Sequence, residues 1–233
     1  MSMFLSEDQV TEFHREGYIV VPGAVSPQLC EQIVAEGSKN ADPNATVWQA
    51  RIFDWKNTEK DWAIHRLLGE PSLIQIAEDL LEAPARIFYG MLAMVPPHGG
   101  KGLPWHQDNQ YSFILGRALN VFVALGEVTP ERGGLWIAPR THTQGLLASH
   151  QDGGELGGHR EADVEPENAF AIPHMAAGDL VAFDRNTLHR SVKNESDAPR
   201  YAYACQLCAE HARVADTGER YADRPMARSL AKS

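Results

Sequence analysis

From residue 85 onward, the chain is made of short apolar runs that are separated by glycine, proline and polar clusters. Such runs are typical of strands, and about eight of them at this spacing predict two packed sheets or a closed barrel. The sequence therefore predicts a double-sheet jelly roll or barrel. The candidate strands are residues 86–95, 105–108, 118–125, 135–138, 169–173, 179–183, 187–191 and 200–208.

The section before residue 85 has a different pattern of apolar residues and is predicted to be mostly helical. Ser6 and Gln9 form a capping box for a first helix, and Gly17 is the residue at which that helix is expected to end. Apolar periodicity predicts a second helix and two later ones. The predicted helices after the first are residues 27–38, 59–68 and 71–81, and the predicted strands are residues 18–22 and 47–55.

The length of 233 residues is enough for one substantial core and too short for two ordinary domains. We expect one domain over residues 1–233, with a helical section over about 1–84, a jelly-roll core over about 85–209 and a polar surface tail over 210–233. Residues 151–167 contain two Gly-Gly pairs and no apolar periodicity. A loop of that length is predicted to be functional or mobile, and whether it acts as a lid stays open.

Charge and cysteine content exclude several classes of partner. The net charge of −10 disfavours long-range attraction to nucleic acid or to an anionic membrane. No secretory signal pattern and no apolar run of membrane-spanning length is visible. Cys30, Cys205 and Cys208 are an odd number of cysteines, which fits a reducing cytoplasm, and all three are predicted to be ordinary packing residues. We expect a cytoplasmic protein that acts on a small molecule, with its oligomeric state open.

His106 and Asp108 form a His-x-Asp pair, and His189 follows 81 residues later. Residues i and i+2 of a strand point to the same face, so His106 and Asp108 can bind one metal together while Gln107 turns away. A strand paired alongside can supply His189 as the third ligand. Two histidines and one carboxylate on one face of an octahedral ion form the facial triad of non-heme Fe(II) oxygenases. Unrelated surface or core residues are the alternative.

Arg200 lies 11 residues after His189, at the start of a strand predicted to run antiparallel to the His189 strand. Its guanidinium suits bidentate binding of a carboxylate beside the metal. Ser191 shares a face with His189 and can add a hydroxyl donor to the same carboxylate. The alternative is that Arg200 is a surface residue in a polar turn.

Several ordered motifs resemble the phytanoyl-CoA dioxygenase family of Fe(II)/2-oxoglutarate oxygenases along most of the chain. They are residues 5–23 (LSEDQVTEFHREGYIVVPG), 105–111 (WHQDNQY), 133–142 (GGLWIAPRTH), and the series Gly178-Asp179, His189 and Arg200. The resemblance implies a double-stranded β-helix (jelly-roll, cupin-like) core, with iron bound by His106, Asp108 and His189. It also implies that Arg200 and Ser191 bind the C5 carboxylate of 2-oxoglutarate.

The resemblance carries further implications for single positions. Arg51 is the candidate for a cation that assists co-substrate binding, although a solvent-exposed strand arginine is an equal alternative. Phe122 stands where an indole is frequent in the family, and residues 139–142 (PRTH) replace the usual Gly-Ser turn. Relatives that act as halogenases have a small residue in place of Asp108, so the carboxylate here favours hydroxylation over halogenation.

We therefore expect an Fe(II)/2-oxoglutarate-dependent dioxygenase that uses O2 to hydroxylate, or to desaturate, a small organic metabolite and releases succinate and CO2. Asn109, Tyr111 and Trp136 are candidates for substrate contact, and packing is an equal alternative for each. A cupin-like metalloprotein with non-oxidative chemistry, such as an isomerase or a hydrolase, is the second hypothesis. A non-catalytic binding module is the third. The acidic net charge disfavours a polyanionic substrate such as an acyl-CoA.

Overall fold

The computed structural model describes residues 4–39, 62–151, 159–221 and 224–231, together with the backbone of residues 49–52. Five α-helices lie in these ranges, and four of them precede the first long strand. The helices are α1 (Glu7–Glu16), α2 (Pro27–Ser38), α3 (Ala63–Leu68), α4 (Pro71–Leu81) and α5 (Ala227–Leu230).

The first helix begins and ends where the sequence predicts. The Ser6 hydroxyl accepts a hydrogen bond from the Gln9 amide N–H at 3.2 Å, and the Gln9 side chain accepts one from the Ser6 amide N–H at 2.9 Å. Gly17 then adopts a left-handed conformation with φ of 83°, which glycine tolerates without steric cost. The capping box and the glycine therefore fix both ends of α1, as predicted.

The strands of the described ranges form two main antiparallel sheets and two small two-stranded ribbons. The strands are β1 (Tyr18–Val21), β2 (Gln49–Ile52), β3 (Ala85–Val95), β4 (Leu103–His106), β5 (Ile114–Leu115), β6 (Ala118–Ala124), β7 (Leu135–Ala138), β8 (Ser149–Gln151), β9 (Arg160–Ala162), β10 (Phe170–Ala171), β11 (Leu180–Asp184), β12 (Leu188–Ser191), β13 (Arg200–Ala209) and β14 (Arg213–Val214).

The two main sheets form the double-sheet jelly roll that the sequence predicts. The major sheet has the order β1-β11-β6-β13-β3-β2, and the minor sheet has the order β10-β7-β12-β4. Neighbouring strands are antiparallel in both sheets. Closing two sheets face to face leaves an interior in which side chains from both can meet.

The two faces of the major sheet have different roles, and β6 shows this clearly. Leu119, Val121 and Val123 alternate along β6 and pack into the large core formed with the helical section. Phe122 points the other way and packs against apolar residues between the two sheets. Each fully buried side chain of this size contributes about 1.5–3 kcal/mol through the hydrophobic effect. The helical section therefore covers the outer face of the major sheet and leaves the inner face free to build a site.

The pairing predicted for the Arg200 strand is wrong. His189 lies on β12 in the minor sheet, whereas Arg200 begins β13, which pairs with β3 and β6 in the major sheet. The turn between β12 and β13 crosses from one sheet to the other. The side chains of His189 and Arg200 still line the same cavity, because the two sheets face each other across it.

The C-terminal segment also differs from the predicted surface tail. Residues of α5 pack on the helical section, with Ala227 fully buried and Arg228 paired with Glu78 of α4. Upstream of α5, β14 pairs with β5. Helix α5 is a single turn, and so short a segment produces no periodicity that sequence reading can detect.

The loop predicted over residues 151–167 contains regular structure, since β9 (Arg160–Ala162) pairs with β8 (Ser149–Gln151). Residues 152–158 of that loop lie outside the described residues. All three cysteines are free and buried, in agreement with the prediction of packing residues. Within the described ranges, no helix has both the length and the apolar character that a membrane crossing requires.

Candidate metal centre and co-substrate pocket

His106, Asp108 and His189 come together at one point between the sheets. His106 is the last residue of β4 and is the direct cross-strand partner of His189 on β12, with ring centroids 4.1 Å apart. Asp108 Oδ1 lies 3.5 Å from His106 Nε2 and 4.0 Å from His189 Nε2. The three ligand atoms all lie within 4.8 Å of one another, which is close enough to bind a single ion.

Backbone carbonyls orient both imidazoles. His106 Nδ1 lies 2.8 Å from the Pro104 carbonyl oxygen, and His189 Nδ1 lies 3.0 Å from the Thr187 carbonyl oxygen. A carbonyl can only accept, so each Nδ1 carries the proton and each Nε2 presents its lone pair to the shared point. Burial, with a smaller contribution from His106, lowers the pKa of His189 to about 4 and keeps that ring neutral near pH 7.

The strand predicted over residues 105–108 is wrong at its end, because β4 stops at His106 and the Asp108 carboxylate reaches this point through a turn. Asp108 begins a short 3-10 helix over Asp108–Gln110 directly after β4, and Gln107 retains an extended backbone. Gln107 turns away, as predicted, and donates to the backbone carbonyls of Gly145 and Asn186. Burial by itself would raise the pKa of Asp108, but His189, Arg185 and other neighbours outweigh it and hold that pKa below its usual value.

A cavity of about 460 Å³ opens beside these three residues. Its volume is within the usual range for small-molecule sites. The walls come from the inner faces of both sheets, mainly from apolar residues of β3, β6 and β13. Six of the predicted site residues line this cavity together: His106, Asp108, Tyr111, His189, Ser191 and Arg200.

Arg200 is buried in this cavity without a counter-ion. Its side chain is 4% exposed, its Nε has no hydrogen-bond partner, and no carboxylate of the described residues pairs with it. Its guanidinium lies 5.8 Å from the centroid of the Phe122 ring. Burial lowers the pKa of Arg200 to about 10, so the group stays charged at neutral pH. A buried and unpaired cation is costly, and an anionic ligand would offset that cost.

Ser191 lies on the same strand as His189 and lines the same cavity. Its hydroxyl oxygen accepts a hydrogen bond from the Leu103 amide N–H at 3.1 Å. That contact leaves the hydroxyl proton available, because within the described ranges it has no acceptor. Its hydroxyl can therefore donate a hydrogen bond into the cavity that Arg200 also lines.

Arg51 remains a prediction. Its backbone lies on β2 at the edge of the major sheet, opposite Leu92 of β3. Its side chain lies outside the described residues.

The three predicted substrate-contact residues have different surroundings. Tyr111 lines the cavity and is 46% exposed, and its hydroxyl accepts from the Arg160 amide N–H at 2.9 Å. Asn109 does not line the cavity, since its side chain bonds to Arg185 and Asn186. Asn109 supports the turn that carries Asp108. Of Asn109 and Tyr111, only Tyr111 therefore stays a candidate for substrate contact.

Trp136 does not line the cavity either. The guanidinium of Arg190 lies 4.7 Å from the ring centroids of both Trp136 and Trp105, so the two indoles sandwich it. Arg190 is the cross-strand partner of Trp136 and alternates with His189 and Ser191, whose side chains face inward. Trp136 therefore packs on the outer side of the minor sheet, where strand alternation places every second residue.

Replacing Trp136 with leucine should lower the free energy of unfolding by about 1–3 kcal/mol, because it removes a cation–π contact and buried area. The affinity for 2-oxoglutarate should stay at the wild-type value. Urea denaturation and a co-substrate titration measure the two quantities. A variant of wild-type stability with impaired turnover would return Trp136 to the substrate site.

Sequence reasoning missed three polar residues of this site: Arg185 and Asn120, which are buried, and Gln206, which is half-buried. Gln206 donates to Asp108 Oδ2 at 2.7 Å, and Arg185 donates to Gln206. Asn120 is 4% exposed and helps to lower the pKa of Asp108, yet neither its Oδ1 nor its Nδ2 has a hydrogen-bond partner among the described residues. A polar residue inside an apolar strand pattern is the only sequence signal for Gln206 and Asn120.

The chain is similar to known proteins along most of its length. Phytanoyl-CoA dioxygenase domain-containing protein 1 of Bos taurus is 30% identical over 262 residues, which cover 87% of this chain and 90% of that protein. L-proline trans-4-hydroxylase of Streptomyces griseoviridis is 28% identical over 177 residues, which cover 65% of this chain. The match spans 63% of the length of that hydroxylase, somewhat less than two thirds.

A solved structure has the same fold. The non-heme alpha ketoglutarate (2-oxoglutarate) dependent epimerase SnoN from nogalamycin biosynthesis superimposes with a TM-score of 0.71 at 22% sequence identity. The superposition covers 89% of this chain and 84% of that one. At this identity the likeness shows the fold, and it agrees with the jelly roll described above.

The family follows from a match to most of the chain. A family model described as phytanoyl-CoA dioxygenase matches residues 13–202, which include both histidines, the carboxylate and Arg200. The donor atoms at the centre, two imidazole nitrogens and one carboxylate oxygen, are those of the non-heme Fe(II) facial triad. The chain belongs to the phytanoyl-CoA dioxygenase family.

Proposed function

We propose that this protein hydroxylates a small organic metabolite in a reaction that uses Fe(II), 2-oxoglutarate and O2 and releases succinate and CO2. It is an Fe(II)/2-oxoglutarate-dependent dioxygenase. The observation that carries the proposal is the buried guanidinium of Arg200, which has no counter-ion among the described residues and lies in the same cavity as the His106, Asp108 and His189 centre. A metal centre alone fits many reactions, but a metal centre beside an unpaired cation fits a co-substrate with a distal carboxylate.

His106, Asp108 and His189 would hold the iron, and Arg200 with Ser191 would hold the distal carboxylate of 2-oxoglutarate. When bound, iron and 2-oxoglutarate supply the oxidising chemistry of this enzyme class. The protein's own contribution is to orient the co-substrate and the substrate and to exclude water from the centre. Arg200 fixes one end of the co-substrate, and the apolar inner faces of β6 and β13 keep bulk water away from the centre.

Hydroxylation is the outcome we favour among the reactions of this enzyme class. The similar proline hydroxylase carries that reaction in its name, whereas the similar solved structure is an epimerase. The carboxylate at position 108 occupies the place that halogenation needs for a halide, so halogenation is disfavoured. Desaturation stays a second outcome, because it begins with the same oxidising centre.

The substrate we propose is small and enters beside Tyr111. The cavity of about 460 Å³ must hold 2-oxoglutarate as well, which leaves room for a metabolite and not for a large acyl-CoA. Tyr89, Met91 and Ser112 line the same cavity as Tyr111. Asn120 lines the same cavity, close enough to Asp108 to lower the pKa of its carboxyl, and its amide can also face a molecule bound there.

A screen for succinate release tests the proposal. The protein is loaded with Fe(II) without oxygen, given 2-oxoglutarate and then O2, and incubated with a library of amino acids, organic acids and other small metabolites. We expect succinate above background with one chemical class, together with a product that is 16 mass units heavier by mass spectrometry, roughly the mass of one oxygen atom. A product of unchanged or lowered mass would overturn hydroxylation, and the absence of succinate with every compound would favour non-oxidative chemistry.

A further inference from the structure

We propose that Gln206, held by Arg185, is a positioning residue that makes Asp108 bind the metal through one oxygen only. The inference rests on the proposed role of Asp108 as an iron ligand. It assigns a function to the buried Arg185 and the half-buried Gln206, which the reaction itself does not require.

The two carboxylate oxygens of Asp108 have different surroundings. Oδ1 faces the two imidazoles, 3.5 Å from His106 Nε2 and 4.0 Å from His189 Nε2. Oδ2 accepts a hydrogen bond of 2.7 Å from Gln206 Nε2. One oxygen is therefore presented to the metal position, and the other is engaged by the protein.

The Gln206 amide can take only one orientation. Its Oε1 accepts a hydrogen bond of 2.7 Å from Arg185 Nη1. A guanidinium has no acceptor, so rotating the amide by half a turn would place N–H groups against N–H groups. Arg185 therefore forces the amide nitrogen of Gln206 toward Asp108.

Arg185 is itself immobilised. It is 2% exposed, and its Nε donates to Asn109 Oδ1 at 2.9 Å. Its Nη2 donates to the backbone carbonyls of Asp108 and Ser112 at 2.9 and 3.0 Å. The same side chain thus holds the backbone of the turn that carries Asp108 and the amide that meets its carboxylate. These contacts form a rigid support on both sides of the ligand.

The interposed amide explains why a glutamine stands between two opposite charges. Arg185 placed directly against Asp108 would engage both carboxylate oxygens, because guanidinium and carboxylate pair through two parallel hydrogen bonds. With Gln206 between them, the guanidinium still lowers the pKa of Asp108, but only Oδ2 is engaged. Oδ1 remains free for the metal.

Single-oxygen ligation matters because an octahedral ion has few positions. Two imidazoles and one carboxylate oxygen leave three positions open, and a bidentate carboxylate would leave two. A chelating 2-oxoglutarate takes two positions, so the third exists for O2 only when Asp108 is monodentate. Gln206 therefore protects the position that the reaction needs.

Two substitutions of Gln206 test the inference. Gln206→Glu keeps the acceptor for Arg185 and the shape of the side chain but replaces the donor N–H with an oxygen. Gln206→Met removes donor and acceptor together. Gln144→Met, at an exposed site on the far side of the minor sheet, is the matched control.

Metal affinity is measured by anaerobic titration with Fe(II) and with Co(II), and the visible spectrum of the Co(II) form reports the coordination of the ion. We expect both Gln206 variants to bind either metal about 10–100-fold more weakly, with an altered Co(II) spectrum. Gln144→Met should keep the wild-type affinity. If Gln206→Met does not fold, Gln206→Glu alone decides.

Wild-type metal affinity and an unchanged Co(II) spectrum in Gln206→Glu would overturn the inference, whether or not thermal stability falls. The proposed function fails in a different way, namely if the wild-type protein itself binds no Fe(II). The two failures are therefore distinguishable in one titration series.

Discussion

Replacing Arg200 with methionine should weaken 2-oxoglutarate binding by roughly 30-fold or more, about 2 kcal/mol or more, which is typical for truncating one partner of a buried charge pair. The same substitution should leave the apo protein as stable as the wild type or make it more stable. The two effects have opposite signs because, within the part of the chain that the structure describes, no carboxylate pairs with the buried Arg200 until an anion binds. A residue kept for the fold would show a loss of stability.

The measurement is a thermal denaturation with and without Fe(II) and 2-oxoglutarate, together with an anaerobic co-substrate titration. In the wild type, 2-oxoglutarate should raise the thermal midpoint, since a ligand that binds only the native state stabilises it. In Arg200→Met that rise should disappear at the same co-substrate concentration. In Arg200→Lys the rise in the thermal midpoint should be smaller than in the wild type and larger than in Arg200→Met, because lysine keeps the charge and loses the bidentate geometry.

Arg117→Gln is the control for removing an arginine elsewhere. Arg117 is about half exposed, and its ion pair with Glu82 is at the surface. This variant should keep wild-type affinity for 2-oxoglutarate. Unchanged affinity in Arg200→Met would remove Arg200 from the co-substrate site.

Replacing Asp108 with asparagine should weaken Fe(II) binding by at least about 100-fold, more than the loss that usually follows removal of a group supporting a metal ligand. Asparagine keeps the size of the side chain and an oxygen that can accept from Gln206. The variant loses the negative charge that a divalent ion needs. Succinate formation should fall to background, since without bound iron the co-substrate has no second attachment.

Anaerobic Fe(II) titration of Asp108→Asn measures this loss directly. Asp163→Asn is a suitable control, because Asp163 is exposed and its carboxylate pairs with the surface residue His150 at 2.6 Å. The control should bind Fe(II) as the wild type does. Asp108→Asn with wild-type Fe(II) affinity would show that the ion, if any, binds elsewhere.

Much of the fold could be predicted from the sequence because local signals agree with it. The capping box at Ser6 and the glycine at position 17 gave both ends of α1. Short apolar runs bounded by glycine, proline and polar residues gave β3, β6 and β13. These elements bury apolar faces in one large core, so pattern and packing demand the same structure.

The errors arose where pairing or tertiary packing, and not local pattern, decides the structure. The β12 and β13 strands are adjacent in sequence, but the turn between them changes sheets, and no residue of that turn signals the crossing. The single-turn α5 owes its place to Ala227 and the Arg228 ion pair, which tertiary packing provides. The outward position of Trp136 follows from alternation with His189, which becomes visible only once the strand pairing is known.

The residues of the candidate site likewise include some that the sequence predicted and some that it did not. His106, Asp108, His189 and Arg200 were predicted because their residue types and spacing match a known chemistry. Gln206 and Arg185 were not, since a supporting residue needs only to reach its partner and has no fixed spacing to it. The stretches over 40–48, 53–61 and 152–158 lie outside the described residues. The role of Arg51, whose side chain is also outside them, remains a prediction.

The most direct test of the central claim is the anaerobic visible spectrum of the Fe(II)-loaded protein as 2-oxoglutarate is added. If the two meet in the cavity between the sheets, the wild type should develop a new charge-transfer absorption that saturates with co-substrate. Asp108→Asn should show no such absorption. In Arg200→Met, half-saturation of the absorption should require a 2-oxoglutarate concentration that is higher by roughly 30-fold or more, in proportion to the lost affinity. A wild-type spectrum that 2-oxoglutarate leaves unchanged would contradict the account.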